Sequence, residues 1–184
     1  MFDSTKFNGF VKTELDELLF DDIRRYYAFK EADLHAAAYF YIREYFIKRQ
    51  SISSDDIFVR CEPRMENGTI PDIVLFRKYD PIYVMELKML QKPEDTRIYA
   101  EVEKDLDKIA VLMKNYPTLK WGFLIVVYDS DDMFIVSDRW LRNKGYNNIS
   151  VVPINLKRQT DNVRKRVGYD DWRKQFDRYL DKHF

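Results

Sequence analysis

The sequence has few of the residues that would build a disulfide framework, a cysteine-rich zinc site or a low-complexity segment. Its one cysteine, Cys61, excludes both an intramolecular disulfide and a zinc site made of several thiolates. Glycine occurs only 5 times in 184 residues and aromatic residues make up 16%, a composition that argues against disorder. The single cysteine and the lack of a secretory hydrophobic region predict an intracellular, cytoplasmic protein.

Long hydrophobic runs and a net charge are also missing. No run approaches the roughly 18 apolar residues that a membrane-spanning helix needs, so we expect no membrane partner. The formal net charge is zero, which argues mildly against non-specific binding to nucleic acid. A chain of 184 residues is long enough for one full core and short for two. We therefore expect a single domain over residues 1–184.

Two short apolar runs, at 73–76 and 82–87, carry the most informative pattern in the chain. Runs of this length, rich in Val, Ile and Phe and separated by a polar turn, predict two buried strands of a hairpin. Asp72, Glu86 and Lys88 interrupt this apolar stretch. Charged side chains are rarely buried unless they are paired or bound to a metal, so these three residues need a chemical explanation.

The hairpin geometry predicts how these charged residues meet. If the turn is centred near Tyr79, the numbers of paired residues sum to about 158, and Asp72 lies opposite Glu86. Lys88 shares a strand face with Glu86 because side chains alternate along a strand. Directly opposed residues have Cβ atoms about 4.5–5.5 Å apart, where like charges destabilise the pair. Two facing carboxylates beside a lysine indicate a divalent-cation site; a buried ion pair of Lys88 with one of them is the alternative.

The same residues resemble a known signature. Pro71-Asp72, followed after 13 residues by Glu86-Leu87-Lys88, resembles the motif of the PD-(D/E)XK nuclease superfamily, which includes restriction endonucleases and Holliday-junction resolvases. The resemblance implies an α/β protein, a restriction endonuclease-like α/β/α sandwich with a central mixed β-sheet. It covers a core of about 31–154, to which an N-terminal helix and a basic C-terminal helix are appended.

What the resemblance implies about chemistry is specific. Asp72, Glu86 and the backbone carbonyl of Leu87 are expected to bind Mg²⁺ or Mn²⁺, and Lys88 to orient the attacking water and stabilise the transition state. The activity implied is that of a metal-dependent endonuclease acting on DNA, with a homodimer as the expected assembly. Alternatives are a nuclease acting on RNA or on branched DNA, and a non-catalytic nucleic-acid-binding or assembly module on the same fold.

A helix predicted over Glu31–Arg49 contributes a further acid. At 100° per residue, Glu31 shares its face with a largely apolar set of residues, namely Leu34, His35, Ala38, Ile42 and Tyr45. Glu44 points to the other side. Because members of the superfamily often supply an acid from this helix, Glu31 is the candidate catalytic and metal-binding residue, with Glu44 as the alternative. The structural alternative for Glu31 is an interaction with the helix dipole. His35 is expected to be a hydrogen-bonded core histidine outside the site.

The remaining elements follow from hydrophobic periodicity. They are a helix over 11–29, a strand over 55–61, a helix over 96–115, a strand over 121–128, a helix over 133–143, a strand over 149–154 and a helix over 170–182.

Basic residues in two of the predicted helical regions are candidates for contacting nucleic acid. Lys108, or Lys104 in the same helix, could reach the scissile phosphate, although exposed charge pairs along the helix explain both equally well. Residues 157–184 contain nine Lys or Arg against five Asp, and within them Arg164, Lys165 and Arg166 form a cluster suited to a phosphate backbone. The alternative for this cluster is a solvated surface.

Overall fold

The computed structural model describes residues 2–25, 30–49, 57–90, 97–129 and 138–157. Its strands form one sheet in the order β1-β2-β3-β4-β5. The elements, in chain order, are α1 (Ser4–Gly9), a π-helical turn (Phe10–Glu14), α2 (Leu15–Arg24), α3 (Glu31–Arg49), β1 (Ile57–Cys61), β2 (Ile73–Arg77), β3 (Asp80–Leu90), α4 (Arg97–Asn115), β4 (Trp121–Tyr128), α5 (Asp138–Asn143) and β5 (Ile149–Asn155).

The sheet is mixed, as the sequence predicted. β1, β2 and β3 form an antiparallel meander, whereas β3, β4 and β5 run parallel to one another. Parallel neighbours need a crossover connection, and between β3 and β4 the helix α4 lies in it. The prediction of an α/β protein with a mixed central sheet is therefore confirmed.

Helices cover both faces of this sheet. Alternate residues of β3 point in opposite directions, with Tyr83 and Met85 in one core cluster and Val84 in the other. The first cluster includes buried residues of α1, α2 and α3, and the second includes those of α4 and α5. A central strand with apolar cover on both faces accounts for the nearly continuous apolar sequence of β4.

The β2–β3 hairpin has the predicted register over half its length. Ile73 pairs with Met85 and Leu75 with Tyr83, so the residue numbers sum to 158. Nearer the turn the pairing shifts by one residue, and Phe76 lies opposite Pro81. Proline has no N–H to donate to a ladder, and sheets accommodate it at such irregularities.

The hairpin turn consists of the two residues between Arg77 and Asp80. Lys78, the first of them, has a φ of 58°. Tight two-residue hairpin turns require positive φ values, which are more usually supplied by glycine or asparagine. The turn thereby places both of its side chains at the tip of the hairpin.

The N-terminal helical region begins earlier than predicted. Periodicity predicted a start near residue 11, but α1 begins at Ser4, where the side chain of Asp3 accepts hydrogen bonds from two backbone N–H groups. Capping by an aspartate at this position stabilises a helix start. The reason for extending the helix is Phe7, which is fully buried in the core beneath α3 and the sheet.

The predicted apolar faces of the two long N-terminal helical segments are confirmed with one exception. Val11, Leu15, Leu19 and Ile23 are buried, as expected, but Leu18 is 37% exposed. The apolar face predicted for α3 is buried at Leu34, Ala38, Ile42 and Tyr45.

Several predicted elements lie partly or wholly outside the described residues. α5 begins at Asp138, and the earlier part of the predicted helix over 133–143 is not described. The predicted helix over 170–182 and the cluster of Arg164, Lys165 and Arg166 also lie outside the described ranges. Within those ranges no helix is both long enough and apolar enough to cross a membrane.

Candidate functional site

Asp72 lies at the entry to β2 and is tied directly to the neighbouring strand. Its Oδ2 accepts a hydrogen bond of 2.7 Å from the backbone N–H of Leu87 in β3. Since the last ladder pair before it is Ile73 with Met85, Asp72 continues the hairpin register opposite Glu86. The sequence-predicted juxtaposition of these two acids therefore follows from the observed register.

Glu86 is the buried carboxyl of the site, with only 2% of its surface exposed. Its Oε2 accepts a hydrogen bond of 2.7 Å from Lys108 Nζ, while Oε1 is buried and has no hydrogen-bond partner among the described residues. Burial and the charge of Asp72 raise the pKa of Glu86 to about 8, although Lys108 opposes that shift. Without a further positive charge, Glu86 is therefore largely protonated at neutral pH.

Lys88 lies two residues further along β3 and is surrounded by acids. Its Nζ is 3.4 Å from Glu101 Oε2 and 3.9 Å from Glu31 Oε2. Partial burial lowers the pKa of Lys88, but the carboxylates of Glu31, Asp105 and Glu101 outweigh that effect and raise it. Lys88 is therefore a cation at neutral pH and cannot act as a general base there.

Of the two acids considered on α3, Glu31 reaches the site. Its Oε2 accepts a hydrogen bond of 3.0 Å from the backbone N–H of Met89. Glu44 instead forms an ion pair with Lys48 on the same helix. Glu31 therefore attaches the start of α3 to β3 as well as facing Lys88.

His35 is a site neighbour that sequence reasoning left out. Its Nε2 lies 3.4 Å from Asp72 Oδ2, without hydrogen-bond geometry, and is buried with no hydrogen-bond partner among the described residues. Its Nδ1 lies 3.9 Å from Glu62 Oε1. The expectation of a hydrogen-bonded core histidine was wrong for Nε2. The available signal was its position one turn after Glu31 on the same helix face.

α4 contributes two further charged side chains to the site. Lys108, a candidate for contacting substrate phosphate, forms an ion pair with Glu86, and Lys104 is exposed. Asp105 was not singled out from the sequence; burial raises its pKa, and the charges of Lys88 and Lys108 only partly oppose this. The predicted alternative was an ion pair between Lys88 and one of the two strand carboxylates. Its partners were wrong, because Lys88 pairs with Glu101 of α4 and Glu86 pairs with Lys108 of α4.

Each of the predicted acidic metal ligands accepts a hydrogen bond from a donor of the protein. Asp72 binds the N–H of Leu87, Glu31 binds the N–H of Met89, and Glu86 binds Lys108. Among the described residues, no group of three or more His, Cys, Asp or Glu side chains has the spacing of a metal site. A cation could bind here without breaking these bonds only through an oxygen that they leave open, such as Oε1 of Glu86, which has no donor among the described residues.

Comparison of the chain with protein-family models, curated proteins and solved structures finds no match in any of the three. A function for this chain therefore has to be inferred from the chemistry of the site itself.

Proposed function

We propose that this protein is a metal-dependent nuclease that hydrolyses phosphodiester bonds, most simply as a DNA endonuclease using Mg²⁺ or Mn²⁺. The observation that carries the proposal is Glu86. One of its carboxylate oxygens is buried without a donor among the described residues, while Asp72 lies opposite it across the hairpin. The proposal includes the finer fold assignment, a restriction endonuclease-like α/β/α sandwich, and the homodimer expected from the resemblance.

The donor chemistry of the site suits a hard divalent cation. Mg²⁺ and Mn²⁺ prefer oxygen ligands, and a buried carboxylate oxygen without a donor is costly unless a cation satisfies it. Asp72 and Glu86 are the proposed ligands, with Glu31 and the backbone carbonyl of Leu87 completing the set. Glu86 would have to lose its proton for the cation to bind, and its Oε1 could take the cation while Oε2 keeps the hydrogen bond from Lys108.

The protein groups then have separate roles. When bound, such a cation polarises the phosphodiester and lowers the pKa of a coordinated water. Lys88 stays protonated beside it, because three carboxylates hold its charge, and stabilises the negative charge that develops on the phosphate. Glu31 positions Lys88, since its Oε2 is bound to the neighbouring backbone N–H of Met89. Lys108 could contact a substrate phosphate through an N–H of its ammonium group other than the one donated to Glu86.

A second candidate function is a non-catalytic nucleic-acid-binding or assembly module. It is favoured by the protein partner that each proposed acidic ligand already has and by the lack of a three-ligand group among the described residues. Against it stands the cost of keeping Glu86 buried. Burying ionisable groups costs stability, and removing one partner of a buried ion pair destabilises a fold. Replacing both partners of such a pair by apolar residues is often neutral or stabilising.

Cleavage assays separate the two candidates. Purified protein is incubated with single-stranded, duplex and branched DNA and with RNA, in Mg²⁺ or Mn²⁺ and in EDTA. We expect metal-dependent cutting of DNA by the wild type and none by Lys88→Met, in which the cation is removed but the aliphatic chain is kept. Lys114→Met, on an exposed lysine of α4, is the matched control and should cut normally.

The outcomes are distinct. Cutting that persists in Lys88→Met, or that survives EDTA, refutes the assignment of this site. Binding of nucleic acid without cutting of any substrate, under either metal, supports the non-catalytic module instead. Cutting of RNA or branched DNA alone would support the nuclease assignment but with that substrate in place of ordinary DNA.

A further inference from the structure

An exposed cluster of aromatic and cationic side chains lies at the hairpin tip and on the edge strand β1. It surrounds a shallow cleft of about 160 Å³, and we call it the aromatic–basic patch: Phe58, Arg60, Phe76, Lys78 and Tyr79. Phe58 is 42% exposed and Tyr79 is 95% exposed. Single exposed apolar residues are common, but three aromatic rings around one cleft indicate a binding surface.

The aromatic–basic patch lies on the same face of the sheet as the candidate site. Phe58 pairs with Phe76 and Arg60 with Val74, so these side chains share a face. Asp72 precedes Val74 by two residues and therefore points the same way. Phe76 lies four positions after Asp72, a distance of about 13 Å at 3.3 Å per residue. A ligand of modest length could therefore contact both.

The chemistry of the patch restricts what the ligand can be. The guanidinium of Arg60 lies 5.6 Å from the centroid of the Phe76 ring, a cation–π arrangement that leaves a cation and a ring at one surface. The described residues that line the cleft include two cations and no acid. Exposed rings and cations together match the bases and phosphates of a single strand, whereas a duplex hides its base faces.

Other occupants fit less well. A cleft of about 160 Å³ is smaller than the roughly 300–1,000 Å³ of typical small-molecule pockets. A protein strand added to the edge at β1 would use backbone groups and would have no need of Arg60 and Lys78. The charge of the lining therefore favours a polyanion over an added strand.

We propose that the aromatic–basic patch binds single-stranded nucleic acid, stacking bases on its rings and pairing phosphates with Arg60 and Lys78, so that the strand continues toward Glu86. This inference rests on the proposed function only for the cleavage of the bound strand, because binding itself can be measured without cleavage. Stacking and phosphate contacts read neither sequence nor sugar, so DNA and RNA strands should bind with similar affinity.

Fluorescence anisotropy of the full chain in EDTA tests the proposal. The probes are fluorescein-labelled 12-nucleotide oligo-dT and oligo-rU, within the about 4–16 nucleotides of known single-strand sites. Tyr79→Ala and Phe58→Ala should each weaken binding by about 5- to 150-fold. Tyr79→Phe keeps the ring and should bind like the wild type. Phe40→Ala, on an aromatic residue of α3 that is 56% exposed, is the matched control and should have no effect.

The salt dependence tests the cationic half of the proposal. Arg60→Gln should reduce the slope of log affinity against log salt by about 0.7, the value for one phosphate contact on a single strand. Tyr79 is 95% exposed at the hairpin tip, so its variant should fold, which circular dichroism checks. If Phe58→Ala fails to fold, Tyr79→Ala still decides the outcome.

Three results would overturn the inference: unchanged affinity in both Tyr79→Ala and Arg60→Gln, equal affinity for duplex and single strand, or oligo-rU bound more than tenfold more tightly than oligo-dT. The two proposals fail separately. Binding that depends on the patch without any cutting refutes only the nuclease. Metal-dependent cutting with unchanged affinity in the patch variants refutes only the patch.

Discussion

The buried carboxyl of Glu86 should make the protein less stable as pH rises, and Glu86→Gln should remove that dependence. The pKa of this group is about 8 in the folded protein, against an ordinary value of 4.5. Between these values the folded protein keeps a proton that the unfolded chain has released. Stability contributed by the protonated form is therefore complete below pH 4.5 and is lost progressively until pH exceeds about 8.

The size of the effect follows from the two pKa values. Each pH unit in this window changes the free energy of unfolding by about 1.4 kcal/mol, or by about 3–4 kcal/mol between pH 5 and pH 8. That is a large part of the roughly 5–15 kcal/mol of a typical domain. Gln is nearly isosteric, cannot ionise and retains a carbonyl oxygen that can accept the bond from Lys108. As pH rises from 5 to 8, the free energy of unfolding of Glu86→Gln should therefore rise by this amount relative to that of the wild type.

Urea unfolding at several pH values between 5 and 9 measures this difference directly. Glu103→Gln is the matched control, because Glu103 makes a 2.6 Å ion pair with Lys144 between exposed side chains and should show no such trend. A relative stability that changes by less than about 1 kcal/mol across the window would refute the assignment of the raised pKa to Glu86. Adding Mn²⁺ at pH 8 should stabilise the wild type and leave Glu86→Gln unchanged.

Three further predictions concern catalysis, metal binding and packing. Lys88→Arg should keep the positive charge and retain part of the cleavage rate that Lys88→Met loses, as single-turnover assays would show; equal loss in both would point to a role other than charge. The apparent affinity for Mn²⁺, followed by calorimetry, should rise from pH 6 to pH 8 because Glu86 must release a proton; an affinity independent of pH would contradict this. Gly122→Ala should destabilise the fold by about 1–3 kcal/mol, because a Cβ there would overlap Ile109, whereas Gly9→Ala meets open space and should be neutral or stabilising in urea unfolding.

Local sequence pattern was enough to predict the hairpin and the acid on α3. The apolar runs around Asp72 and Glu86 determined the two strands, and the turn position determined a register that holds from Ile73 to Leu75. The helical period placed Glu31, and not Glu44, on the face that packs toward the sheet. In each case the signal lies within a few residues of the feature that it predicts.

Contacts between distant elements were not predictable in the same way. The bond between Glu86 and Lys108 joins residues 22 positions apart and depends on the rotation of α4 over the sheet. The approach of His35 to Asp72 depends on how α3 packs on the sheet near the start of β2. Periodicity gives the apolar face of a helix, but the partner of each polar residue at the edge of that face depends on packing angles that the sequence does not state.

The most direct test of the central claim is the cleavage of labelled DNA at pH 8 in Mn²⁺ by wild type and Glu86→Gln, with both proteins shown to be folded. We predict that the wild type cuts, that EDTA stops it, and that the substitution abolishes cutting while leaving the protein at least as stable. Equal cutting by the two proteins, or no cutting of any nucleic acid by the wild type, would contradict the assignment of this site as a metal-dependent nuclease.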